Sequence, residues 1–200
     1  GAGIDNIFIK IDGPELPALD GSAREYVDIL REAGVAEQDK TRNDIKITSQ
    51  ITVEDGGANL SVYPDDTFNI TYKIDYDCPS IGKDELSLSV DNKTFIDELA
   101  PARTFCLKNE AEALLAAGYG KGANYENTLV MDDDGPIGTE LRFPNEPIRH
   151  KVLDLIGDLY MLGVPIVGRF VAEKSGHRLN AEMVRRIYEQ YLEKPVTSNQ

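Results

Sequence analysis

The 200-residue chain is poor in several things at once. It has two cysteines, two histidines and no tryptophan. Two cysteines imply no disulfide framework, and a reducing cytoplasm suits them. No apolar run approaches the roughly 18 residues needed to cross a bilayer, so no transmembrane segment is expected, and no signal peptide is recognisable. Positive charge is also scarce. Lys and Arg number 21 against 35 Asp and Glu, for a net charge of −14. That balance argues against a nucleic acid polymer as partner, because neutralising its backbone needs clustered cations, but it leaves room for a small basic pocket around one nucleotide. The first residue is Gly1 rather than Met, which raises the expectation of a missing N-terminal segment or a companion chain.

Hydrophobic residues make up 41% and charged residues 28%, an ordinary globular composition. Residues 7–11, Ile-Phe-Ile-Lys-Ile, have the apolar content of a strand. Ser22 and Glu25 have the spacing of a capping box, ahead of a helix with Tyr26, Val27, Leu30 and Ala33 on one face. Residues 35–44 are polar and read as a linker. Period-two strands follow, with Asp55-Gly-Gly57 as a hairpin turn. Residues 103–131 read as a βαβ excursion. The longest helix is expected over about 146–162, a strand over 165–173, and a last helix capped by Asn180.

Three groups of residues invite chemistry. On the 146–162 helix, with His150 at zero, Asp154 falls about 40° away, Asp158 about 80° and Lys151 about 100°. One imidazole, two carboxylates and an ammonium therefore share a stripe. A His and an Asp four residues apart can ligate one divalent metal. A solvated face with a His–Asp helical pair has the same spacing. His177 follows Ser175-Gly176 in a turn, where an imidazole can serve as acid or base or have no task. The Gly118–Gly122 loop, with Lys121, offers a phosphate cradle but is not a Walker motif; a plain flexible loop fits it as well.

Taken together, Ala102-Arg-Thr-Phe105, Arg149-His-Lys-Val-Leu-Asp154-Leu-Ile-Gly157-Asp158 and Lys174-Ser-Gly-His177 resemble the UDP-3-O-acyl-N-acetylglucosamine deacetylases, the zinc enzymes of lipid A biosynthesis. Gly3-Ile-Asp-Asn6 and the 13–22 segment match in order, so the resemblance covers about residues 1–190. It implies an α+β fold of two-layer sheet/helix sandwiches, one partial and one complete. Residues 1–40 would be the C-terminal remainder of a first domain. Residues 41–193 would form the second, with a βαβ insert at about 105–130 as the acyl-chain passage. It also implies zinc (Zn2+) held by His150 and Asp154. His177 would be a positively charged general acid held by Asp158, and Thr104 would help stabilise the oxyanion. Phe105, Lys151, Lys174 and Gly176 would line the sugar and UDP end of UDP-3-O-acyl-N-acetylglucosamine. The family's third ligand, a His, and its general-base Glu precede the Gly-Ile-Asp-Asn segment, and neither has a counterpart in these 200 residues. Two rivals stand beside this reading: a non-catalytic nucleotide-sugar binding module, and an acidic interaction domain.

Overall fold

The computed structural model describes residues 1–118, 120 and 122–193. Its centre is a six-stranded mixed sheet. The strands are β1 (Ile45–Lys46), β2 (Ile51–Asp55), β3 (Ala58–Tyr63), β4 (Phe68–Asp75), β5 (Lys83–Ser89) and β9 (Ile166–Glu173), in the order β2-β3-β9-β4-β5, with β1 also on β9. β9 is the axis: antiparallel to β3, parallel to β4 and to β1. The alternation read from the sequence is the burial pattern of these strands. Leu60, Val62, Ile70, Tyr72, Phe170 and Ala172 are buried on one face, while Thr71, Ser87, Lys73 and Glu85 lie on the open one. The β2–β3 turn is built on Gly56 and Gly57, both with positive φ, which closes a two-residue hairpin without strain.

Two helices, α4 (Glu146–Leu159) and α5 (His177–Ile187), cover the buried face and pack on each other. α4 buries Ile148, Val152, Leu155, Ile156 and Leu159, and α5 buries Leu179, Met183, Val184 and Ile187. Their other faces are left for polar work. The expected helix near the chain start is α1 (Arg24–Ala33), which ends at Gly34 with φ 77°. Asp91 caps α2 (Asn92–Thr94) by accepting from the Thr94 amide at 2.7 Å, and the chain continues as a π turn, Phe95–Leu99.

The βαβ excursion is present. β6 (Phe105–Leu107), α3 (Lys108–Ala116) and β7 (Leu129–Asp132) form a parallel pair with its crossover, and the short β8 (Gly135–Pro136) adds antiparallel to β7. This second sheet has a small core of its own, Cys78, Leu129 and Met131, against which Tyr76, Ile81, Phe105, Leu107 and Leu141 pack. The α+β class is thus observed, as two sheets packed against helices.

Three local expectations need correction. Residues 7–11 are not a strand; they carry no regular structure, and Phe8 is 91% exposed. An apolar pattern only suits a strand, and without a neighbouring ladder among the described residues its amides have nothing to pair with. The capping box at Ser22 does not close. The N-cap is Ala23, with Ser22 Oγ accepting instead from the Arg24 amide at 3.2 Å and donating to Asp20. Asn180 is not the cap of α5, which begins three residues earlier at His177. Tyr119 and Lys121 of the glycine-rich loop lie outside the described residues.

Candidate active site

The polar stripe of α4 survives folding, and each member acquires a partner. His150 and Asp154, four residues apart, bring Nε2 and Oδ1 to 3.3 Å, with both side chains largely buried. The other ring nitrogen, Nδ1, lies 3.0 Å from the carbonyl oxygen of Ala102. A carbonyl only accepts, so Nδ1 carries a proton. In the neutral ring the Nε2 lone pair therefore faces the Asp154 carboxylate. Two electron-rich atoms converge on one point, which favours a cation there: a proton or a metal. That is the donor chemistry of a His/Asp zinc site, including the backbone carbonyl behind the imidazole that sets its tautomer. Burial pushes the Asp154 carboxyl up, but its contacts to His150 and Lys151 outweigh this and hold it at about 2. It is thus ionised, as a ligand must be. Lys151 Nζ donates to Asp154 Oδ2 at 2.9 Å. Among the described residues, no group of three or more His, Cys, Asp and Glu side chains converges on one point.

One turn further on, Asp158 Oδ2 accepts from His177 Nδ1 at 2.8 Å. His177 is the first residue of α5, following Gly176 at the N-cap, and its side chain is 71% exposed. Helix packing thus joins residues 19 positions apart. The Nδ1 proton is engaged, so Nε2 faces outward.

The approach to His150 is framed by residues 102–105. Arg103 is buried and its guanidinium meets Glu146, the first residue of α4, through Nε at 2.9 Å and Nη2 at 3.1 Å. The Arg103 amide donates to the same carboxylate at 2.9 Å, which clamps the Ala102–Thr104 segment beside the helix. Thr104 is two residues beyond the carbonyl that holds His150. Its amide donates to Gly21 O and its carbonyl accepts from Leu129, so its backbone is tied on both sides. A Cβ on Gly21, at φ 78°, would lie 1.8 Å from the Asn127 carbonyl oxygen, so this crossing admits only glycine. Phe105 opens β6 and packs edge-on against Tyr76, with ring centroids 5.5 Å apart.

Lys174 stands apart from the stripe. Its φ is 54°, and Nζ bonds Asp75 Oδ2 at 2.8 Å on the end of β4. The structure therefore joins His150, Lys151 and Asp154 in one cluster and Asp158 with His177 in a second. Thr104 and Phe105 lie along the adjoining segment, with Lys174 and Gly176 in the loop before His177. The 480 Å³ cavity between Gly1, Arg42 and Tyr160 lies on the opposite side of α4, against Ile156 and Leu159. Sequence reasoning missed the Ala102 carbonyl and the buried Ser175 and Asn180. A backbone oxygen has no residue-type signal, and a Ser and an Asn in a turn look like turn residues.

A profile of the UDP-3-O-acyl N-acetylglycosamine deacetylase family matches residues 1–189. A UDP-3-O-acyl-N-acetylglucosamine deacetylase of Thermodesulfovibrio yellowstonii is 41% identical over 187 residues, covering 94% of this chain and 64% of that protein. The enzyme so named from Acidithiobacillus ferrooxidans is 41% identical over 190 residues, 94% of this chain and 62% of its own length. That of Phenylobacterium zucineum is 42% identical over 186 residues, with 92% and 64% covered. The chain thus spans a little under two thirds of the length of these relatives.

Proposed function

The chain belongs to the UDP-3-O-acyl N-acetylglycosamine deacetylase family, and on that premise we propose that it carries part of a zinc deacetylase site acting on UDP-3-O-acyl-N-acetylglucosamine in lipid A biosynthesis. The observation that carries the reading is the α4 stripe, where a metal-type His150–Asp154 pair and an acid-type Asp158–His177 pair stand one helical turn apart. On this reading residues 1–40 belong to a first α+β domain and 41–193 to a second. The work is done in the cytoplasm, and no helix among the described residues is long and apolar enough to cross a membrane.

His150 and Asp154 would hold the zinc, which would supply an acidified water and a polarised acetyl carbonyl. The chain's own residues do the rest. The Ala102 carbonyl keeps the Nδ1 proton on His150, so Nε2 is the liganding atom. Thr104 supplies a hydroxyl toward the developing oxyanion. His177 passes the proton on Nε2 to the departing amine, while Asp158 keeps hold of Nδ1–H. Lys151 offsets the negative charge of Asp154. Phe105, Lys174 and Gly176 line the nucleotide-sugar end, and the excursion at about 105–130 receives the acyl chain. A catalytic zinc normally takes three protein ligands, and among the described residues none joins the pair. The third ligand and a general-base Glu are then contributed by other polypeptide, a preceding segment or a companion chain.

Metal analysis and turnover test this together. The 200-residue chain alone should bind zinc weakly and deacetylate poorly, and His150→Ala should lower its zinc affinity by at least about tenfold. Unchanged zinc binding by His150→Ala overturns the ligand assignment. Tight stoichiometric zinc with full turnover by the chain alone overturns the need for an outside ligand. The incomplete ligand set also favours a second reading, a nucleotide-sugar binding module. Tight binding of the substrate without turnover, even with zinc and the complementing polypeptide present, would select it.

A further inference from the structure

Asn180 is fully buried in the first turn of α5, at a position where the helix otherwise buries Leu179, Met183 and Val184. A buried amide is kept only where its hydrogen bonds are made. Here both ends are used. Nδ2 donates to Asp158 Oδ2 at 2.8 Å, the same oxygen that accepts from His177 Nδ1 at 2.8 Å. Oδ1 accepts from Ser175 Oγ at 2.6 Å. The opposite orientation of the amide would set its oxygen against the carboxylate, two acceptors face to face, so Asp158 and Ser175 together leave one orientation. Ser175 is anchored in turn. Its carbonyl accepts from the hydroxyl of Tyr72, which is fully buried on β4. A continuous run of hydrogen bonds thus leads from the sheet, through the 174–176 loop, to the carboxylate on α4.

His177 needs that support, because its exposed ring has little packing to orient it. Its direction is set by Asp158, and the plane of Asp158 is set by the second donor on Oδ2. We infer that Asn180 is a positioning residue for the Asp158–His177 pair, locked by Ser175, and that it selects the imidazole tautomer with the proton on Nδ1. The functional meaning rests on the proposed role of His177 as the acid; the structural claim does not.

With two histidines in the chain, ring nitrogen NMR reads each one separately. At a pH well above the ordinary imidazole range, neutral His177 should show Nδ1 protonated and Nε2 bare in the parent protein. In Asn180→Ala the ordinary Nε2–H form should rise to a comparable share, and in Ser175→Ala it should rise less. His150, held by Ala102 and distant from Asn180 in the bonding scheme, should keep its shifts in both, as the control for an intact fold. A purely structural role for Asn180 would lower the melting temperature and leave the His177 tautomer alone. Should Asn180→Ala fail to fold, Ser175→Ala, which removes only one hydroxyl, decides the matter. Unchanged His177 nitrogen shifts in the folded variants overturn the inference. Full deacetylase turnover in His177→Ala would overturn the acid assignment separately, and the tautomer result would still stand or fall on its own.

Discussion

Glu146 takes no solvent and receives four donors: the Arg103 amide, Nε and Nη2, and the Arg142 amide. Removing one partner of such a pair strands a buried charge. Glu146→Ala should therefore cost about 3–5 kcal/mol, read as a large fall in unfolding midpoint. Because the same carboxylate clamps residues 102–104, the variant should also loosen the carbonyl behind His150 and weaken zinc binding. Asp154 gives a pH signature. Its carboxyl is held at about 2, below its ordinary 3.8. A depressed folded value stabilises fully above the unfolded value and is lost as pH falls through the folded one. Acid unfolding should thus lose roughly 2 kcal/mol between about pH 4 and 2, and that loss should be absent in Asp154→Asn. The residues proposed for chemistry were the legible ones, by their type. His150, Asp154, Asp158 and His177 stand out in a chain with two histidines. Asn180 and Ser175 were not legible: Asn180 meets Asp158 only because α5 packs on α4, and Ser175 meets Asn180 and Tyr72 only because its loop lies between α5 and β4, contacts that no local spacing encodes.

Among the elements, those with internal punctuation were read best. The Gly56–Gly57 hairpin, the βαβ excursion and α4 all follow from turn glycines, caps and periodicity within one segment. Residues 7–11 failed because a strand is a property of two segments, and the apolar side chains of one cannot supply the other. The start of α5 failed for a related reason: Asn180 has the residue type of a cap, but Gly176 occupies the capping position and the Asn turns inward. β9 gives the test at this scale. A Cβ on Gly168 would stand 2.9 Å from Ile47 Cγ1 and 3.2 Å from the Tyr63 carbonyl oxygen, in the strand that pairs with three others. Gly168→Ala should lose about 1–3 kcal/mol of stability through overpacking, measurable by denaturant titration.

Over the whole molecule the charge of −14 sets a field that repels an anionic nucleotide. The cations proposed for the nucleotide-sugar end are engaged, Lys151 with Asp154 and Lys174 with Asp75. On that proposal, recognition of a nucleoside diphosphate works at short range against the long-range field. Added salt up to moderate strength should speed association of UDP with the parent chain, the reverse of steering by a basic surface. Stopped-flow binding across an ionic-strength series reads the sign directly.

The α4 stripe has a metrical consequence. Asp154 and Asp158 are separated by four residues of one unbroken helix, which sets them about 6 Å apart along its axis. On the proposed assignment, the helix is a ruler between the zinc-holding and the proton-donating ends of the site, graduated in residues. Loops around the site can lengthen without disturbing that interval. A single residue inserted between Asp154 and Asp158 would instead turn Asp158 by about 100° and carry it out of register with His177. Within this stretch the exposed Gly157 should accept substitution, since a Cβ there meets nothing within 4 Å, while every change of length should be refused.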